Sequence, residues 1–359
     1  MSHHDKRIGF VLLSNSACPL PSTRIAVLNL FPQLKTAGYD PQIVFEPISA
    51  TETPDLSGLA QRAAARGCEL VYFQKVHGPS VLTEMRALRE KGIRTVYGVC
   101  DRIDDEIVRT TDATTIVTEF LRQQHAPELR NRIHVVHDGI EHPELCHPHA
   151  NRPTTEILRA VLVTSSALET IPVLGRVPRH LDLTVVGRYP ENPTLKQTIR
   201  GHLKRALLQP SQPGLGTLRS AGFQTRAWHP ERVYADLLDT DIGIIPVDTG
   251  FDPLPGRQVS YWEVKSENRL TLKMALGLPV IASPVPAYLD IVEQGVNGYI
   301  ARTRAEWLDA IDALRDAEHR RQIGSAARRT VLERFSMEAQ AQKLIAVFES
   351  LLVGAALTT

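Results

Sequence analysis

Residues 265–283 read "KSENRLTLKMALGLPVIAS". Ser266 or Asn268 suits the start of a helix, because a short polar side chain can accept a hydrogen bond from an unpaired N–H of the first turn. Leu270, Leu272, Met274 and Ala275 give the helix an apolar side. Gly277 suits the left-handed position that closes a helix, and Pro279 bars continuation. "PVIAS" is brief, β-branched and uncharged, the composition of a strand buried on both faces. The stretch is therefore a short helix delivering the chain into a buried strand, the repeating unit of a parallel sheet. Its polar opening puts Lys265 and Arg269 at the helix N-terminus, where unpaired N–H groups and the helix dipole attract an anion. Four positions apart, the two cations would share a helical face once the segment coils. Phosphate suits such a place; a solvated cap whose two cations face water is the other reading.

The same alternation extends outward in both directions. Upstream, "RIGFVLLS", "PQIVFEP", "LVYFQKV", "RTVYGVC", "ATTIVT" and "RIHVVHDGI" read as strands, with helices around Thr23 to Ala37, Leu56 to Arg66 and Ser80 to Lys91. Residues 141–156, "EHPELCHPHANRPTTE", carry Pro and His without either periodicity and read as a linker. Beyond them the strands resume with "RAVLVTS", "LDLTVVGRY", "FQTRAW", "DIGIIPV", "PVIAS" and "GYIA", and helices are expected at Pro230 to Leu238, near Tyr288 to Glu293, and in the last part of the chain. Pro210, Pro213, Gly214 and Gly216 mark "RALLQPSQPGLGTLRSAGFQ" as an irregular connection. Buried strands separated by amphipathic helices give parallel sheets, so the expected class is α/β: two Rossmann-like doubly wound domains facing across a cleft. The division expected is 1–150, 151–335 and a closing helix at 336–359 that returns to the first domain.

Composition limits the partners. A chain of 359 residues with 43% apolar and 23% charged residues is an ordinary globular protein of about two domains. Lys plus Arg number 41 and Asp plus Glu 40, a net charge of +1 that gives no overall attraction to nucleic acid or an anionic membrane. Cys18, Cys68, Cys100 and Cys146 are widely spaced and form neither a disulfide frame nor a zinc pattern. No HExxH pattern occurs, and the apolar run near the N-terminus is far shorter than the ~20 residues of a membrane helix. A cytoplasmic protein without cofactor is expected.

The order "VVHDGI", "VVGRY", "DIGIIPV", "KSENRLTLKMALGLPVIASPVPAYLDIVEQGVNGYIA" and "RFSMEAQAQKLIAVFESLL" resembles the family-4-type glycosyltransferases of GT-B fold, and "STRIAVLNLFPQLKTAGYD" extends the likeness into the first half. The resemblance implies a retaining, metal-independent hexosyltransferase-like enzyme. It would take a sugar from a nucleotide diphosphate-sugar held by the second domain to an acceptor hydroxyl offered by the first. The acceptor would be a carbohydrate, a lipid-linked sugar or a natural product, with peripheral membrane contact only if it is lipid-linked; no nucleic acid is implied. Two departures accompany the likeness. Val264 and Leu272 stand where such enzymes usually carry paired glutamates, and "LVTSSALETIPVLG" lacks their Arg and Lys. A non-catalytic or diverted protein of the same fold, binding a nucleotide or partnering an active transferase, is the alternative. Lys265, Ser266, Asn268 and Arg269 match a "KSxNK" variant of the helix start.

Ligands of doubly wound sheets bind at the carboxyl ends of the strands, which selects the remaining candidates. Ser22, Thr23 and Arg24 follow the first strand; a helix cap and a surface Arg are the plain alternative. Lys75 and His77 end the third strand and Asp101 the fourth, where a carboxylate could orient or deprotonate an acceptor hydroxyl. Asp104 and Asp105 fit better as helix caps. Asp248 follows "DIGIIPV". The expected catalytic set is Asp101, His77, Lys265 and Arg269. The expected donor-binding set is Ser22, Thr23, Arg24, Asp248, Lys265, Ser266, Asn268 and Arg269, with no metal.

Overall fold

The apolar runs of the first half become strands β1 (Lys6–Val11), β2 (Tyr39–Phe45), β3 (Leu70–Gln74), β4 (Arg94–Val99), β5 (Ala113–Ile116) and β6 (Ile133–Val135) of one sheet in the order β2-β1-β3-β4-β5-β6, every pair parallel. The structure, a computed structural model, describes residues 6–147, 156–164, 178–187 and 223–353. All five residues of β3 are buried, as a central strand covered on both faces requires. This sheet belongs to a first compact unit comprising Met1–Glu141, Val264–Glu267 and Arg334–Thr359.

One face of that sheet is closed from the far end of the sequence. Met337, Ala341, Leu344, Val347 and Phe348 of the helix Met337–Val353 share a core with Ile8, Phe10, Leu70 and Tyr72. Ser336 caps this helix by accepting a hydrogen bond from the Ala339 N–H at 3.2 Å.

The second unit, His142–Glu263 and Asn268–Glu333, holds β7 (Leu158–Val163), β8 (Leu181–Gly187), β9 (Phe223–Ala227), β10 (Ile242–Ile245), β11 (Val280–Ala282) and β12 (Tyr299–Ile300). They form a parallel sheet in the order β12-β11-β10-β7-β8-β9. Its core includes Leu158, Ala160 and Leu162, alternate residues of β7, with Leu183, Ile244, Ile281 and Trp307. The helix of the opening stretch spans Asn268–Ala275. Gly277, at φ +80°, ends it: its N–H meets the Met274 carbonyl at 2.9 Å and the Leu278 N–H meets the Lys273 carbonyl at 3.1 Å, the paired bonds of a Schellman closure. Lys273 is 1% exposed, its stem laid over Gly243 of β10, where an added Cβ would come within 2.5 Å of it.

Several expected boundaries move. The first unit ends at Glu141 rather than residue 150, and it regains residues 264–267, a crossing that no linear division of the sequence can express. The helix foreseen at Thr23 to Ala37 is broken into Pro21–Ala26, a 3-10 turn at Leu28–Leu30 and Phe31–Thr36, because Pro32 cannot donate into a continuous ladder. The phosphate-candidate helix begins at Asn268, one of the two expected starts, so Lys265 precedes the helix and does not share a helical face with Arg269. Residues 205–222 of the expected irregular connection, and most of "LVTSSALETIPVLG", lie outside the described residues.

Candidate functional site

Within the first unit, the ends of β3 and β4 bring a charged cluster together. Lys75 Nζ donates to Asp101 Oδ2 at 2.9 Å and lies 3.4 Å from Glu52 Oε1. His77 Nε2 is 3.6 Å and Arg102 Nη1 3.9 Å from the other Glu52 oxygen. His77 and Asp101 are thus drawn into one network, through Lys75 and through Glu52, a residue that no sequence pattern singles out. Burial works against the Lys75 charge, but Cys100, Asp101 and Glu52 offset it and hold its pKa above the ordinary value. Burial, helped by Arg102, pushes the His77 pKa down, so the imidazole is neutral at pH 7. Asp104 does cap the helix Asp105–Thr110, accepting from the Ile107 N–H at 3.1 Å.

Beside this cluster lies a cavity of about 30 Å³ lined by Ser22, Lys75, Cys100, Thr115, His137 and Asp138, among others. Asp138 is 8% exposed, and its carboxyl makes no hydrogen bond among the described residues. Burial, then the charges of Glu267, Glu141 and Asp101, push its pKa up to about 8. Glu267 reaches this region because residues 264–267 join the first unit: His137 Nδ1 and Glu267 Oε1 are 3.0 Å apart, and Glu267 Oε2 is buried without a partner among the described residues. "VVHDGI" is noticeable in the sequence as a strand end, but its Asp138 could be recognised as a site residue only once burial and its neighbours were known.

The other expected residues divide. Ser22 lines the cavity. Thr23 is wholly buried, its hydroxyl accepting from Ser14 Oγ at 2.8 Å and donating to Gln74 Oε1 at 3.1 Å, which commits it to tying the loop after β1 to β3. Arg24 clasps both oxygens of Glu141, at 2.6 and 2.9 Å, and Asn29 joins them. Asp248 is exposed and accepts from the Gly250 N–H at 2.9 Å, a turn-closing bond. Lys265 and Ser266 group with the first unit, Asn268 and Arg269 with the second, and all four are half-buried. Val264 is 1% exposed and Leu272 packs among Leu237, Leu276 and Leu278, so neither position offers a polar group. Among the described residues no three His, Cys, Asp or Glu side chains are placed to hold a metal ion, and no helix is long and apolar enough to cross a membrane.

The family model described as glycosyl transferase-like matches residues 259–346, the part of the chain that contains the Lys265–Arg269 cluster. No curated protein matches the sequence. A glycosyltransferase from Rickettsia africae ESF-5 superposes with a TM-score of 0.69 at 13% identity, over 97% of this chain and 99% of that one. Sucrose-phosphate synthase from Thermosynechococcus elongatus does so at 0.65 and 14%, over 97% and 100%. HepE of Anabaena, in complex with UDP and glucose, gives 0.63 and 13%, over 97% and 100%. The chain therefore has the GT-B fold of these glycosyltransferases, two Rossmann-like units each built on a six-stranded parallel sheet.

Proposed function

We propose that this protein is a glycosyltransferase that moves a hexose from a nucleotide diphosphate-sugar to an acceptor hydroxyl, with retention of configuration and without a metal. The observation that carries the reading is the coincidence of the GT-B fold with a glycosyl transferase-like segment that includes the polar stretch before the helix Asn268–Ala275. HepE has been solved with UDP and with UDP-glucose, which supports a UDP-sugar as donor here.

The chemistry asks one thing above all of the donor site: stabilisation of the negative charge that develops on the departing diphosphate. Lys265, Arg269, the Ser266 hydroxyl and the first N–H groups of the helix supply it, by charge and by dipole. Asn268 and Asp248 serve the sugar or the base. On the acceptor side, neutral His77 can exchange hydrogen bonds with a hydroxyl, and Asp101, held by Lys75, can orient it. A non-catalytic nucleotide-binding protein is the second reading, favoured by the apolar packing of Val264 and Leu272 where the paired glutamates of such enzymes would stand.

Thermal unfolding with UDP, GDP and ADP, followed by UDP release from UDP-glucose in the presence of saccharide acceptors, tests both readings. UDP stabilisation with turnover is expected; stabilisation without turnover across acceptors favours the second reading, and no stabilisation by any nucleotide defeats both. Lys265→Ala should weaken UDP binding by about 1.5–3 kcal/mol, the worth of a charge-assisted hydrogen bond, with the fold intact. Unchanged affinity in that variant would move the diphosphate away from this cluster.

A further inference from the structure

We propose that the pocket at Asp138 receives the protonated amino group of the acceptor, so that the acceptor is an aminated saccharide or polyol rather than a neutral one. The word acceptor rests on the glycosyltransferase reading; the amine site does not.

Each neighbouring carboxylate already has a donor. Glu141 takes Arg24 and Asn29, Asp101 takes Lys75, and Glu267 takes His137. Asp138 alone of these four acids has none among the described residues, although it is 8% exposed and lines the cavity. The carboxyl is largely buried yet borders the cavity, so a donor placed in that cavity would be the one to pair with it. It also cannot readily turn away. The N–H of His137 donates to Gln340 Oε1 at 3.0 Å and that of Ile140 to the Phe335 carbonyl at 2.9 Å, while Gly139 packs so closely on Met337 that a Cβ would meet its sulfur at 2.7 Å.

The sign of the missing group follows from the surroundings. The charges that Asp138 feels most are those of Glu267, Glu141 and Asp101, all acidic. Cys100, also in the lining, adds no positive charge, since a thiol is either neutral or anionic. Lys75 is committed to Asp101 and Glu52, and His137 to Glu267. A hydroxyl would supply a hydrogen bond but no positive charge; an ammonium group supplies both, and converts a disfavoured carboxylate into a paired one. Size agrees. A cavity of about 30 Å³ has room for an ammonium and a water but not for a sugar ring, so the ring would remain outside the pocket with only its substituent inserted. His137 and Lys75, which line the cavity, keep side chains 22% and 16% exposed.

The test compares D-glucosamine with D-glucose on the intact chain at pH 7, by calorimetry and by the 13C resonance of the Asp138 carboxyl, identified by its loss in Asp138→Asn. Glucosamine should bind about tenfold or more tightly than glucose. It should also lower the Asp138 titration midpoint from about 8, whereas glucose and equimolar KCl leave it in place. Equal binding of the two sugars, a KCl shift matching that of glucosamine, or an amine preference that survives in Asp138→Asn overturns the proposal. The wild-type comparison stands even if the variant fails to fold. UDP stabilisation, measured in parallel, separates the two claims: UDP binding without amine preference refutes only the amine site, and the converse refutes only the transferase.

Discussion

Lys75 is the one non-glycine residue among those described that takes a positive φ, +58°. A left-handed conformation costs an L-residue about 1–2 kcal/mol. It is held there by its N–H bond to the Gly98 carbonyl at 2.7 Å and by the bonds of its ammonium to Asp101 and Glu52. This strained residue stands at a strand end and lines the polar cavity. Asp138, in the same cavity, has a folded pKa of about 8 against an ordinary value of 3.8. A raised pKa contributes stability that is complete below the unfolded value and is lost as pH climbs through the folded one. Unfolding free energy should therefore carry a downward slope from this group across roughly pH 4–8, at most about 1.4 kcal/mol per pH unit. Asp138→Asn, which cannot ionise, should gain stability relative to the wild type over that window and hold a constant difference above it. Urea titrations at several pH values would show this, and a difference that does not vary with pH would refute it.

Among the elements, the central strands leave no slack around the cavity. Gly98 of β4 faces Tyr72 of β3 so closely that a Cβ would lie 1.8 Å from the phenol oxygen and 2.3 Å from the ring carbon bearing it. The phenol is itself held by Thr115 Oγ1 of β5 at 3.0 Å. Gly98→Ala must displace a buried ring and break a bond across three strands, so a loss of about 1–3 kcal/mol is expected as a lower denaturant midpoint. Tyr72→Phe would not rescue it, because the ring carbon is also too near. An unchanged midpoint in Gly98→Ala would mean that the two strands can part there.

Across the molecule, the first unit is completed by the last helix of the sequence. Phe348 is wholly buried, its ring 6.1 Å from that of Tyr39 and 6.3 Å from that of Tyr72. Phe348→Ala should cost about 3–5 kcal/mol, the usual penalty for emptying such a site, although the residue lies at the opposite end of the chain from the sheet it covers. Hydrogen exchange would place the loss in β1 and β3. Protection lost only within the helix Met337–Val353 would show that the helix is a dispensable cover.

The elements and their class follow from local patterns alone. Buried β-branched runs such as β3 and "PVIAS", the Gly277–Leu278 closure and the Ser336 cap are legible because each depends on residues only a few positions apart. The strand-end positions of His77 and Asp101 are legible for the same reason. Which of those residues meet, and in what field, is settled only by the folded arrangement. Thr23 became a buried tie because Gln74 lies over it, and Lys273 lost its solvent face to Gly243. Asp138 took on its acidic surroundings because residues 264–267 return to the first unit and set Glu267 near it. Burial and charge depend on distances between residues far apart in the chain, and no local pattern encodes those distances.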